Sequence, residues 1–139
     1  MTQAAAEVLL LPLDALDRAD MPVRAKDSLR KSIIAIAGAY GEDDDPQKVA
    51  PDPKSFMRLL RVLEHPHHWS WRPPAIAVDP EGNFSAIWDE PGVHRWILDF
   101  LPNGEVRETY LRTYPDGRIE HNSQAVNSYA EVQPPFAIG

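Results

Sequence analysis

Residues 94–113 read HRWILDFLPNGEVRETYLRT, and the central Pro-Asn-Gly separates two segments rich in β-branched and aromatic residues. Pro-x-Gly suits a three-residue hairpin loop in which the glycine takes the left-handed conformation. A two-residue loop would set the like charges of Asp99 and Glu108 opposite each other, which destabilises a ladder. The three-residue loop instead pairs Phe100 with Val106, Asp99 with Arg107, and Trp96 with Tyr110. The stretch therefore predicts an antiparallel hairpin with a defined register.

Three further Pro/Gly turn signals divide the second half of the chain: PEG at 80–82, EPG at 90–92 and PDG at 115–117. The segments between these turns are short and again rich in residues that favour strands. Applying the same loop to PEG and PDG pairs Val78 with Phe84, Ile76 with Ala86, and Arg112 with Glu120. The sequence thus predicts an antiparallel meander of five strands over about residues 75–124.

One face of the predicted sheet is apolar and needs cover, because large apolar side chains are costly to leave in water. Its members are Ile76, Val78, Phe84, Ala86, Trp88, Trp96, Leu98, Phe100, Val106 and Tyr110. Two amphipathic helices can supply the cover, since residues 25–40 and 53–64 carry apolar side chains at steps of three and four. The predicted fold class is α+β, with two N-terminal helices packed on one face of a C-terminal five-stranded antiparallel meander.

The 139 residues have the length of a single domain. The expected order is a helical part at about 1–64, a proline-rich segment at 65–74, the meander at about 75–124 and a short C-terminal tail at 125–139. We call residues 65–74 the joint, because they connect the helical part to the sheet. The tail is expected to form one helical turn near Tyr129.

The composition narrows the range of partners. The chain has 14 lysine and arginine residues and 21 aspartate and glutamate residues, which gives a net charge of −7. Because this charge repels phosphate backbones, we expect no direct nucleic-acid partner. The sequence holds no cysteine, which excludes disulfides and thiolate chemistry. No stretch is apolar enough for a membrane span, and the apolar start lacks the basic segment of a signal peptide. We expect a cytoplasmic protein that does not enter a membrane.

Residues 63–71 read LEHPHHWSW and hold three of the five histidines and two of the four tryptophans. Between flanking prolines the backbone is expected to be extended, which directs His65, His67 and both tryptophans to one side and His68 to the other. The tryptophans either plug the corner where helix meets sheet or form an exposed patch that binds a partner. The candidate partner-binding residues are Trp69, Trp71, Arg72, His67 and His68.

A metal site is the alternative interpretation of the same histidines. His65 and His67 could approach one ion together, but zinc needs three or four ligands, so His94, His121 or a carboxylate would have to contribute. No HExxH or comparable spacing accompanies them, and neither a nucleophile elbow nor a glycine-rich phosphate loop occurs. Glu108 falls on the predicted apolar face, where Arg112 is its expected partner. The sequence therefore predicts no catalytic residues and no cofactor, with His65, His67, His94 and His121 as the alternative metal ligands.

From Phe56 to Tyr114 the chain carries a helix, a P-x-I strand, a strand with Trp88 after a glycine turn, and an aliphatic strand that ends in P-x-G. In this order of elements it resembles small uncharacterised bacterial α+β proteins. Some of those proteins are encoded on mobile elements or near toxin–antitoxin and similar defence modules. The resemblance covers about half of the chain, implies a fold, and provides no functional residues.

These observations favour a non-enzymatic accessory or inhibitor-type protein, such as an immunity, antitoxin-like or anti-defence factor, which binds another protein through a surface patch. One alternative is a metal-dependent hydrolase that uses the His65 and His67 cluster. A second alternative is a small-ligand-binding domain with its pocket between helices and sheet. A homodimer is left open, and the polar residues of the last strand, at a sheet edge, are expected to discourage open-ended pairing.

Overall fold

The computed structural model of the chain describes residues 2–126 and 132–139. Within these ranges the helices are α1 Gln3–Arg18, α2 Val23–Glu42 and α3 Pro53–Glu64, followed by a 3-10 turn at Pro66–His68. The strands are β1 Ala75–Val78, β2 Phe84–Glu90, β3 His94–Phe100, β4 Val106–Thr113 and β5 Ile119–Val126. The strands form one five-stranded antiparallel sheet in the order β1-β2-β3-β4-β5.

The register of the sheet confirms the loop rule drawn from Pro-x-Gly. The observed pairs include Val78 with Phe84, Ile76 with Ala86, Asp99 with Arg107, Phe100 with Val106, Trp96 with Tyr110, and Arg112 with Glu120. The glycines of the three Pro-x-Gly turns have φ between 84° and 90°. Turn chemistry therefore decides which side chains share a face of the sheet.

The helices cover one face of the sheet, which confirms the predicted α+β class. α2 contacts β1, and α3 contacts β2 and β3. Asp52 caps α3 by accepting a hydrogen bond from the Lys54 backbone N–H at 2.9 Å. Phe56, Leu59, Leu60 and Leu63 are buried on the stripe that the sequence predicts. The strongest amphipathic helix thus lies over the middle of the sheet.

The described part of the chain has three α-helices where the sequence predicts two. The additional helix, α1, packs against α2 and also contacts α3. Ala5, Leu9, Pro12 and Leu16 are buried at steps of three and four, and Thr2 caps the helix by accepting from the Ala5 N–H. Pro12 removes one backbone hydrogen bond, but the buried apolar stripe is sufficient to keep the segment helical.

A buried serine ties α3 to the sheet. The Ser55 hydroxyl donates to the Phe100 carbonyl at 2.6 Å and accepts from the Phe84 N–H at 2.8 Å. Ser55 is fully buried, so removing its hydroxyl would leave the two backbone groups of β2 and β3 without a hydrogen-bond partner, and water could not reach them as a substitute. This side chain fixes the distance between helix and sheet.

The C-terminal residues complete the core instead of forming a free tail. Val132 and Ile138 are buried, and the Phe136 ring stacks on His94 at 4.7 Å between centroids. The Ile138 carbonyl accepts from the Arg72 N–H at 2.6 Å, which brings the chain back to the joint. The predicted helical turn near Tyr129 lies outside the described residues, and β5 reaches Val126. None of the helices in the described part of the chain has the length and apolar character needed to cross a membrane.

Candidate functional site

The joint is compact, and the prediction of an extended backbone there is wrong. Pro66–His68 form a 3-10 turn, and Trp69 continues in the right-handed helical region with φ −68° and ψ −21°. The His65 side chain accepts from the His67 N–H at 3.4 Å, in the manner of a helix cap. Proline suits the first position of a helical turn as well as it suits an extended segment, so the flanking prolines did not decide the conformation.

His68 points into the protein, so it is not available as a partner-binding residue, contrary to the prediction from the sequence. Its side chain is only 5% exposed, and its Nδ1 lies 2.7 Å from the Val62 carbonyl near the end of α3. In the neutral ring this nitrogen must carry the proton, because a carbonyl oxygen can only accept. The imidazole stacks on Trp71 with 3.9 Å between centroids. His68 therefore closes the C-terminal end of α3 and supports a tryptophan.

Trp71 fills the corner between α3 and the sheet. This is one of the two alternatives that the sequence predicted for the tryptophans. Its ring meets Trp88 edge-on at 5.5 Å and Trp96 at 5.6 Å between centroids. The indole N–H of Trp88 donates to the Arg72 carbonyl at 2.8 Å. Trp71 packs against the core cluster and cannot serve as a free anchor for a partner.

The exposed remainder of the candidate patch is small. Trp69 is 39% exposed, and its indole N–H donates to the Glu64 carbonyl at 3.0 Å. His67 is exposed, whereas the Arg72 side chain is half-buried and donates to the Asp89 carbonyl at 3.1 Å. The five candidate residues therefore divide into an inward set and an exposed pair, His67 and Trp69.

The structure does not assemble the alternative metal site. The rings of His65 and His67 lie 5.0 Å apart, but His94 is stacked on Phe136 and its Nδ1 lies 2.7 Å from the Tyr110 hydroxyl. His121 lies on β5, opposite Leu111. Among residues 2–126 and 132–139, no three His, Asp or Glu side chains are placed to hold one metal ion. The donor geometry therefore gives the metal-dependent hydrolase no support.

Glu108 has other partners than the expected Arg112. Its Oε2 accepts from the Trp96 indole N–H at 3.0 Å, and its Oε1 accepts from the Gln124 amide at 2.8 Å. The Arg112 guanidinium lies over the Tyr114 ring at 4.6 Å. Glu108 thus anchors a core tryptophan and links β3 to β5.

Acidification is expected to weaken the joint through His68. Burial lowers the pKa of His68 from its ordinary 6.5, and the nearby His65 and His67 lower it further, while the carbonyls of Val62 and Val132 oppose the shift. A lowered pKa in the folded state means that protons favour the unfolded chain, so this contribution to stability is complete above pH 6.5 and is lost as the pH falls below it. Urea unfolding at a series of pH values measures the loss.

The matched variants for this prediction are His68→Phe and His121→Ala. His68→Phe keeps a ring against Trp71 but cannot titrate, so its free energy of unfolding should depend less on pH than that of the natural chain. His121→Ala removes an exposed histidine of β5 and serves as the control for the loss of an imidazole outside the joint. Equal pH dependence in the natural chain and in His68→Phe would show that His68 is not the group responsible.

A groove of about 440 Å³ lies between the end of α2 and the β1–β2 turn. Its walls include Ile36, Tyr40 and Val78. Its size lies in the range of small-ligand sites, which is where the second alternative function would place its ligand. The Lys48 ammonium already donates to the carbonyls of Tyr40 at 2.9 Å and Asp43 at 2.8 Å, and it lies 4.4 Å from the Tyr40 ring centroid. Lys48 thus closes the C-terminal end of α2 from within this groove.

β5 forms one of the two edges of the sheet. Residues 119–125 are exposed on both faces, and within the described ranges no strand pairs with the side of β5 that faces away from β4. Ile119 is 65% exposed. Beside it, Val93 and Leu111 help to line a depression of about 330 Å³ at the end of the sheet. We call the outer side of residues 119–126 the β5 edge.

The sequence places this strand at an edge, but it does not reveal how open the edge is. The run of polar residues over 120–124 is typical of a solvated strand, but only the structure shows that the helices leave both faces of β5 exposed. One sequence signal could have pointed to this edge: an isoleucine at position 119 begins a polar strand that contains neither proline nor lysine.

Comparison of the chain with models of protein families, with curated proteins and with solved structures gives no match. The resemblance to small bacterial α+β proteins therefore stays a prediction. The candidate site is defined by the geometry of this chain alone. Two exposed surfaces are candidates for binding a partner: the exposed pair at the joint and the β5 edge.

Proposed function

We propose that the chain is a non-enzymatic protein-binding module, of accessory or inhibitor type, and that its binding element is the β5 edge. The partner is an extended segment of a protein, which adds a strand to the sheet. The net charge of −7 supports a protein partner over a nucleic acid, because acidic surfaces repel phosphate. The proposal includes a cytoplasmic setting, with which a sequence without cysteine is compatible.

The observation that carries the proposal is the eight-residue length of β5 with exposed side chains on both faces. A free edge presents a row of backbone N–H and C=O groups that another strand can pair with. Natural proteins often protect such an edge with lysine, proline or a bulge. Residues 119–126 contain neither lysine nor proline, and β5 pairs with β4 without interruption from Ile119 to Val126.

Side-chain recognition would come from the depression beside Ile119. Strand addition derives affinity from main-chain hydrogen bonds and specificity from pockets that accept alternate side chains. The depression is lined by Val93, Leu111 and Ile119 together with polar residues that include Asp89 and Arg95, so it offers an apolar side chain a partly apolar surface beside charged groups. Exposed apolar groups at the rim of a free edge favour a partner with an aliphatic residue at the matching position.

Proline at position 121 should abolish partner binding without breaking the sheet. The His121 N–H points away from β4, as argued below, and proline is tolerated on an edge strand where its missing N–H would face solvent. We expect His121→Pro to lower recovery of the partner from an extract of the native host by about tenfold or more, since one central main-chain bond is lost and the approach is blocked. Quantitative mass spectrometry of material retained by immobilised protein measures the recovery.

The matched control is His121→Ala, which removes the same side chain and keeps the N–H. It should retain the partner as the natural chain does, and both variants should show the far-ultraviolet circular dichroism of the folded protein. If His121→Pro loses neither a host protein nor a second copy of the chain that the natural chain retains, the β5 edge is not the binding element. A partner that is lost with Trp69→Ala and kept by His121→Pro would move the site to the joint.

A further inference from the structure

We propose that the strand added to the β5 edge belongs to a second copy of this chain. The two β5 strands run antiparallel about a twofold axis and join both sheets into one continuous sheet. This inference rests on the proposed function, because it names the occupant of the same edge.

The backbone groups that face outward belong to the odd-numbered residues of β5. The Tyr114 N–H donates to the Arg118 carbonyl, so Arg118 is hydrogen-bonded to β4. In an antiparallel ladder such pairs alternate along the strand, so Glu120, Asn122 and Gln124 also direct their N–H and C=O groups to β4. The free groups are therefore those of Ile119, His121, Ser123 and Ala125.

Asn122 is the best centre for the twofold pair. Opposed residues in an antiparallel pair lie on the same face, so a residue of even number opposes another of even number. With Asn122 opposite its own copy, Ile119 faces the partner's Ala125 and Glu120 faces the partner's Gln124. The first contact covers the most exposed large apolar side chain of the strand, and the second opposes a carboxylate to an uncharged amide, which avoids like charges.

Other centres give poorer contacts. Centring the pair on Glu120 opposes two carboxylates, which destabilises the ladder. Centring it on His121 places two imidazoles together and leaves Ile119 opposite the partner's Ser123. Centring it on Ser123 leaves the Glu120 carboxylate opposite the partner's Val126. Among the registers centred within residues 120–123, only the one centred on Asn122 pairs an aliphatic side chain with another and avoids like charges.

The charge of the strand does not oppose this pairing. Glu120 is the one acidic residue among 119–126, and its oxygens already accept from the Tyr114 hydroxyl at 2.6 Å and from the Asn122 amide at 3.3 Å. The twofold pair also closes the assembly, because each remaining sheet edge is the four-residue β1 strand, which is short and contacts α2. This satisfies the expectation that the strand resists open-ended pairing.

A single introduced thiol tests the register directly, because the natural chain has no cysteine. Asn122→Cys places two thiols at the central pair, which is not hydrogen-bonded, with about 4.5 Å between Cα atoms. This distance lies within the range of about 4.4–6.8 Å that disulfides span. Under a mild copper–phenanthroline oxidant, we expect Asn122→Cys to form a covalent dimer on non-reducing gels.

His121→Cys and Ser123→Cys are the matched controls for the register. In the proposed register, position 121 of one copy is opposite position 123 of the other, so two thiols at the same position are offset by two residues. Their Cα atoms lie roughly 8 Å apart, which is beyond the reach of a disulfide. We expect their crosslinking to be slower by about tenfold or more. Faster crosslinking at position 121 or 123 than at position 122 would overturn the proposed pairing.

Sedimentation equilibrium supplies the measurement on the unmodified chain. The natural protein should sediment with twice the 15.6 kDa mass of one chain, and His121→Pro should sediment as a folded monomer. A natural chain that stays monomeric at the highest attainable concentration overturns self-pairing. If such a monomer still retains a host protein that His121→Pro loses, the proposed function stands and only this inference fails. A dimer crosslinked at position 122 supports the inference whether or not a host protein is retained.

Discussion

Trp71→Ala is expected to lower the free energy of unfolding by about 3 kcal/mol, because it removes the ring that fills the corner between α3 and the sheet. His68 stacks on this ring at 3.9 Å, and the Trp88 and Trp96 rings meet it edge-on at 5.5 and 5.6 Å. The surrounding residues belong to the helix, the joint and two strands, so they cannot close together to fill the cavity. Urea unfolding followed by far-ultraviolet circular dichroism measures the change without depending on tryptophan emission.

Trp69→Ala is the matched control, since it removes the same type of side chain two residues earlier. Trp69 is 39% exposed and makes one hydrogen bond, from its indole to the Glu64 carbonyl, so we expect a loss of about 1 kcal/mol. A loss at position 69 as large as that at position 71 would mean that the two tryptophans share one structural role. The difference between the variants therefore tests the division of the joint into an inward set and an exposed pair.

Gly82→Ala is expected to cost about 3 kcal/mol, the second of the two largest effects. A Cβ at this position would lie 2.5 Å from the Ala50 backbone carbonyl oxygen, and the residue has φ +90°. The left-handed conformation costs a non-glycine residue about 1–2 kcal/mol, and forcing the backbone apart costs about 1–3 kcal/mol more. The Gly82 carbonyl also accepts from the Asp52 N–H at 2.8 Å, so a displaced turn would disturb the residue that caps α3.

Gly104→Ala separates the two contributions. Gly104 has φ +84°, close to that of Gly82, but a Cβ there would have no neighbour within 4 Å. We expect a loss of about 1 kcal/mol from the conformation alone. Thermal unfolding of both variants gives the comparison, and equal losses would show that the contact with Ala50 has no energetic weight.

The sheet could be predicted from the sequence because its register depends on local turn chemistry. A Pro-x-Gly loop fixes its own closing pair, and each pair then fixes the next two residues along the ladder. Phe100 with Val106 and Arg112 with Glu120 follow from this rule without any knowledge of the rest of the fold. The buried stripe of α3 could also be predicted, because its apolar residues recur with the period of a helix and an aspartate stands at the N-cap position.

The joint could not be predicted, because its conformation depends on groups distant in the sequence. Proline permits both an extended and a helical neighbour, and the Val62 carbonyl and the Trp71 ring, which hold His68 inside, come from outside this proline pattern. The missed helix α1 has a similar cause. Pro12 removes one helical hydrogen bond, and only the burial of Leu9 and Leu16 in the packed helical layer shows that the segment stays helical. The role of Ser55 was also hidden, since a serine inside an apolar stripe gives no sign of its two strand partners.

The openness of the β5 edge is likewise a property of the assembled protein. The sequence shows polar residues on β5, but whether they border a partner or water depends on where the helices end. The helices contact β1, β2 and β3 and leave β5 uncovered, and the C-terminal residues return to the joint.

The return of the C-terminal residues has a consequence for folding during synthesis. The hairpins of the meander join residues that are close in sequence, so they can form as soon as each strand has left the ribosome. The Arg72 N–H finds its acceptor only when Ile138 has been synthesised. We therefore expect nascent chains that end before Ile138 to have a formed sheet whose hydrophobic corner at the joint is still open to water, and to bind chaperones more readily than longer nascent chains.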